Sequence, residues 1–225
     1  MRNLFSYDNP IMQMLMKVGD MIILNLIFLL CSLPIVTIGA AQAGLYTAMK
    51  VMQDPEDDSS LVSAYFRGFK NGFLTVTLSW GLMTVALLLV TYVGAYAAGL
   101  GLPNWICIVP VAILAWYTAQ IPAFHSRFGC TAIQLIRNVW FLIIAHPLRT
   151  LGVAVVTWLP IGLLLSSYSF AFFSLIPLWF TLYFSTAASF GYSFLKKPFQ
   201  VLVDHFNSTS ATDTEALPES ETTEV

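Results

Sequence analysis

Three long intervals of this 225-residue sequence contain no aspartate, glutamate, lysine or arginine: residues 21–49, 71–126 and 150–195. A helix needs about 20 apolar residues to cross the hydrocarbon of a bilayer, so each interval is long enough for two crossings. Only 10% of the chain is charged, against about 25% in soluble domains. The pattern predicts an integral membrane protein. It excludes a disulfide-stabilised secreted domain, a disordered chain and a nucleic-acid-binding protein, which would need a basic patch.

Each interval contains one turn-forming break. In the first, Pro34 removes a backbone donor, and Thr37 can cap a new helix that begins at Gly39. The second divides at the Gly- and Pro-containing stretch 99–104, and the third divides near the serines of 166–169. We therefore predict an all-α, polytopic transmembrane bundle over residues 1–200, with about six spans in three hairpins. The predicted spans are residues 18–34, 38–52, 73–98, 105–125, 149–166 and 170–194.

All ten lysines and arginines fall on one side of this six-span arrangement. Short loops rich in these residues stay cytoplasmic, so both termini are predicted to be cytoplasmic. A signal peptide cleaved after Ala41-Gln42-Ala43 is the alternative, but its leader of about 20 residues contains two acids. Cleavage would also put the basic loops on the wrong side of the membrane.

Charge divides the chain into two parts. Residues 1–197 have a net charge of +4 and residues 198–225 a net charge of −6. The basic part should lie against anionic lipid, so the bilayer is the first expected partner. Residues 201–225, rich in Ser, Thr and Glu, are predicted to form a disordered, acidic cytoplasmic tail.

A short amphipathic segment precedes each predicted hairpin, and such segments lie in the membrane interface or brace a bundle. The segments begin at Asn9-Pro10, at Asp57 and at Thr131. In the third, the apolar face is predicted to consist of Ile133, Ile136, Trp140 and Ile144. Three copies of one unit are typical of some transporters, but any chain of hairpins with cytoplasmic ends has the same pattern. Both interpretations stay open.

The first predicted hairpin has the most unusual chemistry. Asn25 and Gln42 place amides inside spans, where unpaired polar groups are costly. Three small residues at four-residue spacing allow close helix approach. These residues either join the first two helices to the bundle, or the broken turn 33–39 exposes backbone to a central cavity. The packing or cavity candidates are Asn25, Pro34, Thr37, Gly39, Ala40, Gln42, Gly44 and Ala48.

Basic residues and histidines at the predicted cytoplasmic helix ends form a second group. Each histidine there interacts favourably with a helix C-terminal dipole or reaches the headgroups, or else serves as a ligand or proton relay. The four tryptophans Trp80, Trp116, Trp158 and Trp179 either pack the bundle or line a sugar-binding cavity. The cytoplasmic interface candidates are Arg67, Lys70, His125, Arg127, Arg137, His146 and Arg149.

Several signatures of chemistry are absent from the sequence. The one carboxylate within a predicted span is Asp20, at the beginning of the span 18–34, and there is no Gly-rich phosphate loop with its lysine and no HExxH motif. Cys31, Cys107 and Cys130 lack metal-ligand spacing and are expected to be small packing residues. We therefore expect no catalytic residues, no cofactor, no metal site and no enzymatic activity.

The stretch Cys31–Ala41, with Leu33-Pro34-x-x-Thr37-x-Gly39 at its core, resembles the signature of the YesL-like family. Tyr65–Asn71 and a looser pattern around Arg137 and His146 extend the resemblance over roughly residues 5–200. It implies a bacterial plasma-membrane protein with an accessory role in carbohydrate uptake or sensing, with a sugar permease or sensor subunit as partner. It supplies no binding or catalytic residues. The competing hypothesis is a transporter or channel for a neutral solute such as a sugar, and the oligomeric state stays open.

Overall fold

The computed structural model of the protein describes residues 10–54, 59–100, 105–165 and 169–215. Those residues form helices and turns and no strand, which confirms the all-α prediction. The helices are α1 (Pro10–Cys31), α2 (Ile38–Gln53), α3 (Leu61–Gly99), α4 (Trp105–Phe128), α5 (Ala132–Ala145), α6 (Pro147–Leu165), α7 (Ser169–Ser174), α8 (Ile176–Leu178) and α9 (Phe184–Glu215). A 3₁₀ turn, Ile35–Thr37, precedes α2, and a π-helix, Trp179–Tyr183, precedes α9.

Four of the described helices are long and apolar enough to cross a membrane: Met12–Cys31, Leu61–Gly99, Ile108–Phe128 and Pro147–Leu164. They lie within or overlap four of the six predicted spans. The predicted span 38–52 corresponds to α2, whose 16 residues extend roughly 24 Å at 1.5 Å per residue. The predicted span 170–194 is divided among α7, α8, the π-helix and α9. The count of six spans and their pairing into three hairpins therefore stay predictions.

The sequence pattern suggests that the first two amphipathic segments are separate helices. In the structure they are parts of longer helices. The first is the beginning of α1, and the second runs without a break into the apolar part of α3, a helix of 39 residues. No proline lies between Arg67 and Gly99, and the glycines in this stretch do not interrupt the helix. Ser63, Arg67 and Lys70 are exposed, as a polar face requires, whereas Tyr65 on the opposite face is fully buried.

The third amphipathic segment is a separate helix, α5, but it packs through a different face from the one predicted. Its first turn carries a capping box between Thr131 and Gln134. Leu135, Val139 and Leu142 are fully buried, at the i, i+4, i+7 spacing of one helical face. The predicted apolar face is largely exposed, with Ile133 and Ile144 more than two thirds accessible. Alternation of polar and apolar residues could not decide between these faces because both are apolar.

Helix α2 lies at the centre of the bundle, and it packs most extensively against α3 rather than against α1. It also contacts α4 and α9. This packing explains why ten of its residues are buried although it is short. Helix α9 continues to Glu215, into the segment 201–225 for which composition predicts a disordered tail. The last part of that segment, residues 216–225, lies outside the described residues.

Candidate functional site

The break between α1 and α2 is closed by Thr37. Its hydroxyl donates to the carbonyl oxygens of Cys31 at 2.6 Å and Pro34 at 2.7 Å. Thr37 occupies the N-cap position of α2, but its side chain makes no hydrogen bond to a backbone N–H of that helix. The prediction that the Thr37 side chain caps α2 is therefore wrong, because its hydroxyl bonds to carbonyls of the preceding turn and not to an N–H of α2. Two carbonyls of the turn are satisfied by this hydroxyl instead of facing a cavity.

Asn25 joins α1 to the π-helix. The side chain is fully buried, and its Nδ2 donates to the carbonyl oxygens of Trp179 at 3.1 Å and Phe180 at 2.7 Å. Its Oδ1 accepts from the backbone N–H of Ser185 at 3.1 Å. The amide thus binds two carbonyls of the π-helix and one N–H in the first turn of α9. Asn25 therefore links α1 to the π-helix and to the beginning of α9.

The stripe of small residues on α2 faces the interior. Ala40 and Ala48 are fully buried, and Gly44 lies against α3. A Cβ atom on Gly44 would lie 2.8 Å from the carbonyl oxygen of Tyr65, and one on Gly39 would lie 2.9 Å from Trp80 Cβ. Close helix approach therefore uses this stripe within the chain, and no groove of small residues is left open there for another protein.

A cavity of about 490 Å³ lies between α1, α2, α3, α4, α6 and the beginning of α9. Its walls are mainly hydrocarbon and aromatic. The apolar lining comes from Phe28, Leu29, Ile38, Trp80, Leu87, Leu88, Ala119, Trp158, Pro160, Ile161 and Phe184. Four polar side chains also reach the wall: Ser32, Gln42, Thr84 and Thr157. Gln42 lines this cavity, whereas Asn25 does not.

Two hydroxyls at this cavity have no hydrogen-bond partner among the described residues. Ser32 Oγ and Thr84 Oγ1 are both buried and unpaired. Thr157, in contrast, donates to the carbonyl of Val153 at 2.8 Å, and Trp158 Nε1 donates to the carbonyl of Ala115 at 2.7 Å. A buried hydroxyl without a partner costs about 1–3 kcal/mol. Both oxygens are themselves inaccessible, so the polar contacts that the cavity can offer a bound molecule come from Gln42 and Thr157.

The cytoplasmic interface candidates divide between two locations. Arg67, His125 and Arg127 line one cavity, together with Lys50. His125 lies in the last turn of α4 and is 8% exposed, with its Nδ1 beside Gly72 of α3. The remaining four candidates lie on other surfaces: Lys70 on α3, Arg137 on α5, His146 at the end of α5 and Arg149 on α6.

Sequence reasoning missed several polar residues that lie at important positions. Ser32, Thr84 and Thr157 gave no signal because single hydroxyls are common in membrane helices, where they usually bond to the preceding turn. Gln120 is fully buried, and its Nε2 donates to the carbonyl of Thr150 at 2.8 Å. An amide in a charge-free interval is a detectable signal, and it marks Gln120 as clearly as it marks Gln42.

A comparison with protein families matches residues 21–95 to the family described as "Protein of unknown function, DUF624". The matched region covers the second half of α1, all of α2 and most of α3, including the small-residue stripe and the turn closed by Thr37. No curated protein matches this chain, and no solved structure matches it. The family match and the long apolar helices together support a membrane protein.

Proposed function

We propose that the bundle takes up a neutral, largely apolar solute in the 490 Å³ cavity and acts as a transporter or channel for it. The observation that carries this proposal is a mainly apolar and aromatic wall on which Gln42 and Thr157 are the accessible polar side chains. The cavity volume lies in the range of about 300–1,000 Å³ that is typical of small-molecule sites. No charged side chain is among its described lining residues, so an ionic solute would lack a counter-charge.

The wall favours an amphipathic solute over a free sugar. A sugar would bring many hydroxyls, and each hydroxyl without a partner carries a desolvation cost. Trp80 and Trp158 provide flat surfaces on which a ring can stack, and Gln42 and Thr157 provide a few polar contacts. A molecule with one polar end and a hydrocarbon body, such as an alkyl glycoside or a long-chain alcohol, fits this lining best.

Binding can be tested on the full chain in phosphatidylcholine nanodiscs, with tryptophan fluorescence as the signal because Trp80 and Trp158 border the cavity. An alkyl glucoside should produce a saturable change, and glucose alone should produce a much weaker one. Gln42→Leu and Thr157→Val should each weaken binding by about 2- to 10-fold, the loss of one hydrogen bond.

Thr91→Val is the matched control, since Thr91 is exposed on α3 and its hydroxyl already donates to the carbonyl of Leu87. A fluorescence change that does not saturate, or an equal loss of binding in the control, would contradict the proposal. Transport is measured separately, by release of the bound probe from sealed vesicles. Binding without faster release would support a binding protein and would contradict the proposal that the bundle is a transporter or channel.

The accessory role in carbohydrate uptake or sensing is the second candidate, and we keep it as non-enzymatic. Its support is the resemblance to the YesL-like family and the exposed apolar face of α5, where Ile133, Phe141 and Ile144 are all more than half accessible. The partner would be a sugar permease or sensor subunit in the plasma membrane. The small-residue stripe of α2 does not support this role, because α3 covers it and leaves it unavailable to a partner protein.

A photo-crosslinking residue at Phe141 tests the accessory role in native membranes. The control is the same residue at Leu89, which is exposed on α3. The hypothesis expects a permease or sensor subunit from the Phe141 variant alone, together with a growth defect on individual glycans when the gene is deleted. Recovery of lipid only from both positions would contradict it.

A further inference from the structure

A second cavity, of about 440 Å³, lies where α2 ends, α4 ends and the first turns of α3 pass between them. Three cationic side chains from three separate helices line it: Lys50, Arg67 and Arg127. Among the residues that the structure describes, no carboxylate lines this cavity. None of its lining residues lines the apolar cavity, so the two sites are independent.

Close packing of α3 holds the three cations near one another. Thr47 of α2 lies directly against Gly68 of α3. A Cβ atom on Gly72 would lie 3.3 Å from His125 Nδ1 of α4 and 3.4 Å from Ala43 Cβ of α2. The glycines therefore let three helices meet at the level where the basic residues project, so the positive charge is concentrated before any ligand arrives.

The helix ends alone do not account for this charge. Lys50 and Arg127 lie in the last turns of α2 and α4, where a cation offsets a C-terminal dipole of about half a negative charge. Two such ends contribute about one negative charge, against three cations. Arg67 lies near the beginning of α3, so it has no C-terminal dipole to neutralise. The cavity thus keeps an excess of positive charge.

An adjoining cavity of about 290 Å³ shares Arg127 and adds one base and one acid, Lys196 and Asp54. These two opposite charges leave the excess unchanged. Hydroxyls contribute little, because Thr47 already donates to the carbonyl of Ala43 at 2.8 Å and Ser126 already donates to that of Ala123 at 2.7 Å. Among the described lining residues, the side chains that remain to donate are the three cations, the amide of Asn71 and the imidazole of His125.

We propose that this cavity binds a phosphate group, on the headgroup of an anionic phospholipid or on a water-soluble phosphate. Guanidinium groups match phosphate oxygens with paired, charge-assisted hydrogen bonds, and two arginines face this space. Basic cavities between transmembrane helices on the cytoplasmic side are typical headgroup sites. The basic residues of this cavity lie on the side that the charge distribution predicts to be cytoplasmic.

The test uses the full chain, so that Glu56, Asp57 and Asp58, which lie outside the described residues, are present. In one arm, nanodiscs of phosphatidylcholine contain a minor fraction of phosphatidylglycerol, and native mass spectrometry counts the anionic lipid that is retained. In the other arm, inorganic phosphate is titrated into neutral nanodiscs and the Tm is followed. Retention in the first arm identifies a headgroup site, and a saturable rise in Tm in the second identifies a soluble phosphate.

Arg67→Gln and Arg127→Gln should each weaken binding at least about tenfold, the loss of one charge-assisted contact. Lys70→Gln removes the same charge from the exposed face of α3 outside the cavity and should change binding little. Arg67→Lys, which keeps the charge, should recover part of the affinity and shows that the position tolerates substitution. Equal losses in Arg67→Gln and Lys70→Gln would mean general surface attraction, and no binding in either arm would equally overturn the proposal.

Discussion

Replacement of Asn25 by alanine tests how α1 is attached to the last helical segment. The change removes two donated hydrogen bonds, to the carbonyls of Trp179 and Phe180, and one accepted from the N–H of Ser185. Interhelical hydrogen bonds in membranes average about 0.6 kcal/mol each, whereas a fully orphaned buried group costs about 1–3 kcal/mol. For three backbone groups in a wholly buried position, we expect a loss of about 2–4 kcal/mol in the free energy of unfolding.

The assay is reversible unfolding in mixed micelles, with tryptophan fluorescence as the signal. Trp179 is the first residue of the π-helix and is only 5% exposed, so its emission should change when this region unfolds. Asn71→Ala is the control, since Asn71 is exposed on α3 and its loss should cost no more than about 0.5 kcal/mol. If the free energy of unfolding of Asn25→Ala lies within about 0.5 kcal/mol of that of the original chain, the amide does not stabilise the attachment to the π-helix and the reasoning is refuted.

Gly44→Ala should destabilise the bundle by about 1–3 kcal/mol, because its Cβ would lie 2.8 Å from a backbone oxygen of α3. Gly81→Ala is the control, since Gly81 has open space around it and the change should cost nothing. Equal unfolding midpoints for the two variants would contradict this prediction. Burial raises the pKa of the Cys130 thiol, and the thiolate is the nucleophile. In a variant with Cys31→Ser and Cys107→Ser, alkylation should therefore need a higher pH than free cysteine does; identical pH profiles would count against it. A membrane-impermeant maleimide should label Cys130 in inside-out vesicles only, and labelling from the outer face would reverse the predicted orientation.

How far the site follows from sequence differs between residues. Gln42 and Asn25 both stand out as amides in charge-free intervals, but their different surroundings depend on helix neighbours that spacing does not reveal. Asn25 meets a π-helix more than 150 residues away in the chain, and Gln42 meets an apolar cavity. Thr37 was expected to cap α2. It bonds to the preceding turn instead, because the carbonyls of Cys31 and Pro34 lie within its reach.

The sequence by itself determined that this chain is all-α and that long stretches of it suit a bilayer, because these properties depend only on composition and spacing along the chain. Only the tertiary structure decided that α2 packs into α3, that α5 packs through Leu135, Val139 and Leu142, and that the apolar cavity and the basic cavity are lined by different residues. Those outcomes depend on contacts between distant residues. A helix with apolar side chains on several faces can pack through any of them until its neighbours are known.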